Sequence, residues 1–107
     1  MAENFKRDWD HVIVDLSGVT TKEEFHAELK EALELPDYYG GNLDALHDIL
    51  TDIAASASED DPVCITFAGY KKAKRALGSY FYDFRNLIED VEKEYPDMGF
   101  EWRRKAK

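Results

Sequence analysis

The stretch "LPDYYGGNLDALHDILTD", residues 35–52, decides how this chain is read. Pro36 ends whatever helix precedes it, and residues 37–41 are turn formers around two tyrosines. Asn42 is a good helix N-cap. Leu43, Leu46, Leu50 and Ile53 then recur at spacings of three and four, with Ile49 beside them. That is the pattern of a helix burying one face, and it predicts a helix over 43–55. On the other side Asp44, Asp48 and Asp52 recur every four residues, so three like charges lie one above the next. Each adjacent pair costs a helix about 0.2–0.5 kcal/mol. Asp44 sits in the first turn, where the helix dipole favours an acid. Asp48 and Asp52 gain nothing from the dipole, and Asp52 nears the unfavourable end. Four chemistries would explain the row: a metal site, acid–base catalysis, repulsion of wrong partners, or a cationic partner.

Working outward, "TTKEEFHAELKEALELP" (20–36) predicts a helix over 22–35. Thr21 with Glu24 three residues on forms a capping box, and Phe25, Leu29, Ala32 and Leu33 supply the apolar spacing. "HVIVDLSGV" (11–19) reads as a strand near 12–16, ended by Ser17-Gly18. Downstream, "SASEDD" (56–61) is a polar loop and "PVCITFAG" (62–69) an apolar, β-branched strand near 63–67. "YKKAKRALG" (70–78) reads as a short basic helix over 70–77, stopped by Gly78. A longer helix over 80–95 follows, capped by Ser79, with Phe81, Phe84, Ile88, Val91 and Tyr95 on one face and Pro96 at its end. "MGFEWRR" (98–104) supplies a third strand near 98–102, the weakest of the three patterns. The order β-α-α-β-α-α-β leaves ample chain for a helical crossover between successive strands. It predicts an α/β fold with a small three-stranded parallel β-sheet packed with four α-helices.

At 107 residues, 44% apolar and 13% aromatic, the chain is a single domain with one modest core and no internal repeat. No apolar run approaches a membrane span, and the N-terminus lacks the apolar segment of a secretory signal. One cysteine, Cys64, excludes an internal disulfide and fits a reducing, cytoplasmic setting. The net charge of −9 is uneven: residues 23–61 hold 12 acids and one base, and the remainder is net +2. A field of that sign repels nucleic acid and attracts a basic partner.

Several residues have ordinary readings beside the sharp ones. Asp44, His47 and Asp48 fall within one helical turn and could share a divalent ion, yet no fourth ligand is evident. Cys64, mid-strand, reads as a buried inert thiol, and His26 as surface or packing. His11 at a strand start is uninformative. Gly40 and Gly41 read as positions of positive φ, Tyr39 as core and Tyr38 as interface. The basic runs Lys71, Lys72, Lys74, Arg75 and Arg103, Arg104, Lys105 read as solvated faces. No nucleophile–base arrangement is evident, so no enzymatic activity and no cofactor are expected.

The stretch 35–52, together with "EEFHAELKEALE" (23–34), resembles the barstar family, intracellular protein inhibitors of a secreted ribonuclease. The likeness is dense from about Glu24 to Asp52, and the order of elements continues it over about residues 11–102, leaving 1–10 and 103–107 as extensions of one barstar-like domain. The resemblance implies that the second helix and the loop before it plug the active site of a basic, extracellular-type ribonuclease or a related toxin nuclease. The inhibitor is then a free monomer that contacts neither nucleic acid nor membrane. Carried over by position, it implies partner contacts at Tyr38, Asn42, Asp44, His47, Asp48, Thr51 and Asp52, with Asp90 on the last helix as a further acid. Asp48 is the carboxylate that enters the enzyme's site. His47 and Ile53 stand where the family has tryptophans, Asp52 where it has glycine, and Gly41 where it has an acid. A second implication remains open: a non-enzymatic adaptor of this fold directed to another basic protein.

Overall fold

A computed structural model describes residues 12–105. The expectations for residues 1–10, His11, Ala106 and Lys107 lie outside the described residues. The elements are β1 (Val12–Asp15), α1 (Lys22–Leu33), α2 (Leu43–Ala55), β2 (Val63–Ala68), α3 (Tyr70–Leu77), α4 (Ser79–Glu94) and β3 (Met98–Arg103). The order is the predicted one. β3 runs through Arg103, one residue into the stretch read as an extension.

The three strands form one parallel sheet in the order β1-β2-β3, with Val12 opposite Ile65 and Val63 opposite Met98. Both crossovers step the same way across the sheet. Right-handed crossovers of that kind carry all their helices to one face. Burial agrees at the edge strands: Val12, Val14, Val63, Ile65, Phe67 and Met98 are buried, while Ile13, Asp15 and Glu101 on the other face are exposed. On that face only the central-strand Thr66 and Ala68 are covered. Parallel sheets usually have both faces covered. Cys64 alternates with the inward Val63 and Ile65, so it belongs to the less covered face and is partly exposed. This corrects the expectation of a buried thiol.

The core is an aromatic hub. Phe84 of α4 meets Phe25 of α1 edge-on at 4.8 Å and Phe67 of β2 at 5.1 Å. Those three rings join helix to helix to sheet, and such edge-to-face pairs add stabilisation beyond the area they bury.

Local chemistry sets the element ends. Thr21 caps α1 by accepting from the Glu24 N–H at 3.1 Å. The Glu24 carboxylate reaches back one residue further than in the usual box, accepting from the N–H (2.8 Å) and hydroxyl (2.9 Å) of Thr20. Those bonds hold its carboxyl below the usual range. α1 closes on Glu34 in the left-handed region (φ 53°), with the Leu35 N–H donating to the Lys30 carbonyl at 2.9 Å. Ser79 does not cap α4, as the sequence predicts, but is its first helical residue. Gly78 both ends α3, donating to Lys74, and starts α4, accepting from Phe81. With one residue between two helices there is no place for a separate cap.

Candidate functional site

α2 is built on two faces. Leu46, Leu50 and Ile53 are at most 1% exposed, Ile49 is buried and Leu43 half-buried, all against the core. The helical repeat then forces Asp44, Asp48 and Asp52 outward, and all three are exposed. Asn42 caps the helix, its side-chain oxygen accepting from the Ala45 N–H at 2.8 Å. The cap leaves the Asn42 NH2 group out of that bond. Thr51 is half-buried and donates its hydroxyl to the Asp48 carbonyl at 2.8 Å, so it offers a partner lone pairs rather than its proton. His47 is half-buried beside Asp48. Asp90 is exposed on α4, the helix against which α2 packs.

None of Asp44, Asp48 or Asp52 lies in an ion pair among the described residues. Nor does any group of three His, Cys, Asp or Glu side chains there stand close enough to hold a metal ion. The arrangement is a row of water-facing carboxylates on a rigid, well-capped helix. It is suited to an external cation.

The loop before α2 is anchored by Tyr39, read from sequence as core, by His26, read as surface or packing, and by Tyr80, for which the sequence suggested no role. His26 is 5% exposed and sits between two tyrosines. Its Nδ1 meets the Tyr39 hydroxyl at 2.5 Å and its Nε2 the Tyr80 hydroxyl at 2.6 Å. In a neutral imidazole one nitrogen donates and the other accepts, and a hydroxyl satisfies either. Tyr39 is thereby tied to α1 and α4, while Tyr38, beside it in a turn closed by the Tyr39 N–H to the Pro36 carbonyl (3.0 Å), is 70% exposed. A signal existed in the sequence: His26, Leu29 and Leu33 share helical spacing i, i+3, i+7. Gly41 has φ +68° as expected, but Gly40 does not have positive φ. It lies close to α2, where a Cβ would touch Ala45 at 3.4 Å.

Burial holds the His26 imidazole below its usual pKa, against an opposing pull from Glu23. Burial also pushes the Tyr39 and Tyr80 phenols up. Well above pH 6.5 the imidazole is neutral in both folded and unfolded chains. Below it the unfolded chain takes up a proton first, so stability falls with pH, by at most about 1.4 kcal/mol per unit from this group. Thermal melts across pH 7.5 to 5 (roughly the window around the free histidine pKa) are expected to show that slope. His26→Gln, which keeps hydrogen-bonding groups and cannot titrate there, is expected to remove this contribution.

With this geometry in place, the comparisons with known proteins are specific. The family model "Barstar (barnase inhibitor)" matches residues 9–106.

This chain belongs to the barstar family.

It is also 35% identical over 86 residues to the Bacillus subtilis (strain 168) protein named "Putative ribonuclease inhibitor YrdF", covering 80% of this chain and 89% of that one. Both matches point to an inhibitor rather than an enzyme. The structure also sorts this chain's departures from the barstar pattern. Ile53 is fully buried, continuing the Leu46–Leu50 stripe, so its exchange for the family's tryptophan is a matter of core packing. His47 and Asp52 are the departures on α2 that stand on the candidate face, His47 beside Asp44 and Asp48, and Asp52 one turn beyond.

Proposed function

We propose that this barstar-family protein inhibits a basic ribonuclease by seating α2 and the preceding loop in the enzyme's active site. The observation that carries the reading is the row Asp44, Asp48 and Asp52, exposed on one face and paired with no cation among the described residues. A ribonuclease site gathers Arg, Lys and His around RNA phosphates. Carboxylates on a preformed helix fill the same subsites with nothing to cleave. Arginine binds them through two parallel charge-assisted bonds, stronger than neutral hydrogen bonds. In this reading Asp48 enters the site, Asp44 supports it one turn earlier, and Asp52 adds charge at the edge. Tyr38 packs its exposed ring on the enzyme, with Asn42, His47 and Thr51 beside it and Asp90 reaching in from α4. The inhibitor acts in the cytoplasm as a monomer, needs no cofactor, and meets the enzyme rather than its RNA.

His47 in place of a tryptophan supports a second reading, a non-enzymatic adaptor for a different basic protein. Affinity capture with a panel of small basic ribonucleases, followed by an RNA-cleavage assay, separates the two. Capture with loss of cleavage is the expected result. No capture by any member of the panel would favour the adaptor.

Association should also be steered. With 12 acids in residues 23–61 against one base, the on-rate for a basic nuclease is expected to fall as salt rises past 0.1 M, where the Debye length is about 10 Å. Stopped-flow rates that stay flat across salt would count against this picture.

A further inference from the structure

The basic residues read from sequence as solvated faces converge in the fold. Lys71, Lys74 and Arg75 lie at i, i+3 and i+4 on one side of α3. Arg104, just past β3, joins them. With Tyr70 and Tyr82 they line a hollow of about 570 Å³. A second hollow of about 590 Å³ is lined by Lys71, Arg103, Arg104 and Lys105. The two share Lys71 and Arg104, and apart from Tyr82 of α4 both are built from residues at or just past the carboxyl ends of β2 and β3. That is the end of a parallel sheet at which α/β proteins take ligands. Each volume lies within the range of small-molecule sites.

The two hollows differ in chemistry. The second is lined by cations alone. The first adds two aromatic rings. Tyr70 is held in place by Phe81 at 6.1 Å and Trp102 at 5.7 Å and forms a wall. Tyr82 is 55% exposed, with the Lys74 ammonium 5.8 Å from its ring centroid, and presents its ring to solvent. Among the described residues no carboxylate lines either hollow, and none pairs with Lys71, Lys74, Arg75 or Arg104. Arg103 has Glu101 at 3.7 Å. In a protein of net charge −9, this is a local concentration of cations in which, among the described residues, only Arg103 has an acidic partner.

We propose that these joined hollows bind a metal-free nucleoside polyphosphate. Its phosphates lie among Lys71, Arg103, Arg104 and Lys105, where two guanidinium forks suit phosphate oxygens. Its base lies against Tyr82, with Lys74 and Arg75 at the rim. A lining without carboxylates offers nothing to a bound Mg²⁺, so the ligand enters without its metal. The site shares no residue with the α2 face and stands or falls apart from the ribonuclease reading.

The test is isothermal titration in magnesium-free, low-salt buffer with ATP, inorganic tripolyphosphate, adenosine and a short oligodeoxyadenylate. Saturable ATP binding that weakens with salt is expected, with adenosine weaker still. The double variant Lys71→Gln/Arg104→Gln should lose about tenfold or more in affinity, since it removes two charge-assisted partners. Tyr82→Ala should cost ATP about fivefold or more and leave tripolyphosphate unchanged. Thermal melts confirm that the variants fold, and Arg104→Gln alone serves if the double variant does not. Four results would each overturn the proposal: no saturable ATP binding; tripolyphosphate as tight as ATP, which means an adventitious ion only; charge-removal variants that bind like the parent; or an oligonucleotide tighter than ATP, which means a strand-binding surface.

Discussion

Replacing Asp48 with alanine is expected to weaken inhibition of the partner ribonuclease by about 2–5 kcal/mol or more, chiefly through faster dissociation. The barstar family's own complex is among the cases behind that range, so the figure is carried to this chain and not read from it. The physical reason is desolvation. Asp48 is water-facing in the free protein and, among the described residues, has no cation partner to lose. In the proposed complex its carboxylate would sit dry among several cations, and removing it would strand them unpaired. Folding should be unharmed. Asp44 and Asp52 each stand one turn from Asp48, so the substitution relieves two repulsions of about 0.2–0.5 kcal/mol. Asp44→Ala is expected to cost less if its partner lies nearer the rim. Asp52→Ala serves as the control, because the family pattern has no acid there. The measurements are inhibition of the best-captured nuclease and thermal stability for each variant. Normal stability with lost inhibition supports the plug. Full inhibition by Asp48→Ala would place the enzyme elsewhere on the surface.

The second large effect concerns folding. Gly69→Ala is expected to destabilise the protein by about 2–5 kcal/mol, the sum of left-handed strain and overpacking. Gly69 joins β2 to α3 with φ +65°. A Cβ there would lie 2.9 Å from the Ser17 Cβ, 3.2 Å from its Cα and 3.3 Å from its backbone nitrogen. Main chain cannot swing aside as a side chain does. Ser17 follows Leu16, which is fully buried and donates its N–H to the Ala68 carbonyl at 2.8 Å. Gly69 in turn donates to the Arg103 carbonyl at 2.8 Å. The ends of all three strands therefore meet at this residue, and any shift there disturbs each of them. Gly41→Ala is the control: its φ is +68°, but nothing lies within 4 Å of the added methyl. It should lose only the strain, about 1–2 kcal/mol. Urea denaturation of both variants checks this. Equal losses would mean that the contact with Ser17 is immaterial, and an unchanged midpoint for Gly69→Ala would refute the account.

Much of the candidate site was legible because it is a single helix. A period of three and four residues places Leu46, Leu50 and Ile53 on one side and Asp44, Asp48 and Asp52 on the other whatever the helix packs against. The loop was half legible. Tyr38 and Tyr39 are adjacent tyrosines, and their split into surface and interior depends on His26, 13 residues from Tyr39, and on Tyr80, 54 residues from His26. No local pattern shows such pairings. The basic hollows were illegible for the same reason, since α3 and the end of β3 are distant in the chain.

By itself the sequence determined the order of elements, the parallel sheet and the two-faced α2. These rest on local quantities: hydrophobic period, capping residues, and crossover lengths too long for hairpins. Only the tertiary structure decided which face of the sheet would be covered. That depends on the hand and direction of both crossovers, and it is why Cys64 stands partly exposed although its neighbours are core. The tertiary structure likewise tied Tyr39 to His26 and Tyr80, and made Gly78 rather than Ser79 the junction of α3 and α4. In each case the outcome was settled by a neighbour from a different element, and a one-dimensional pattern holds no record of such neighbours.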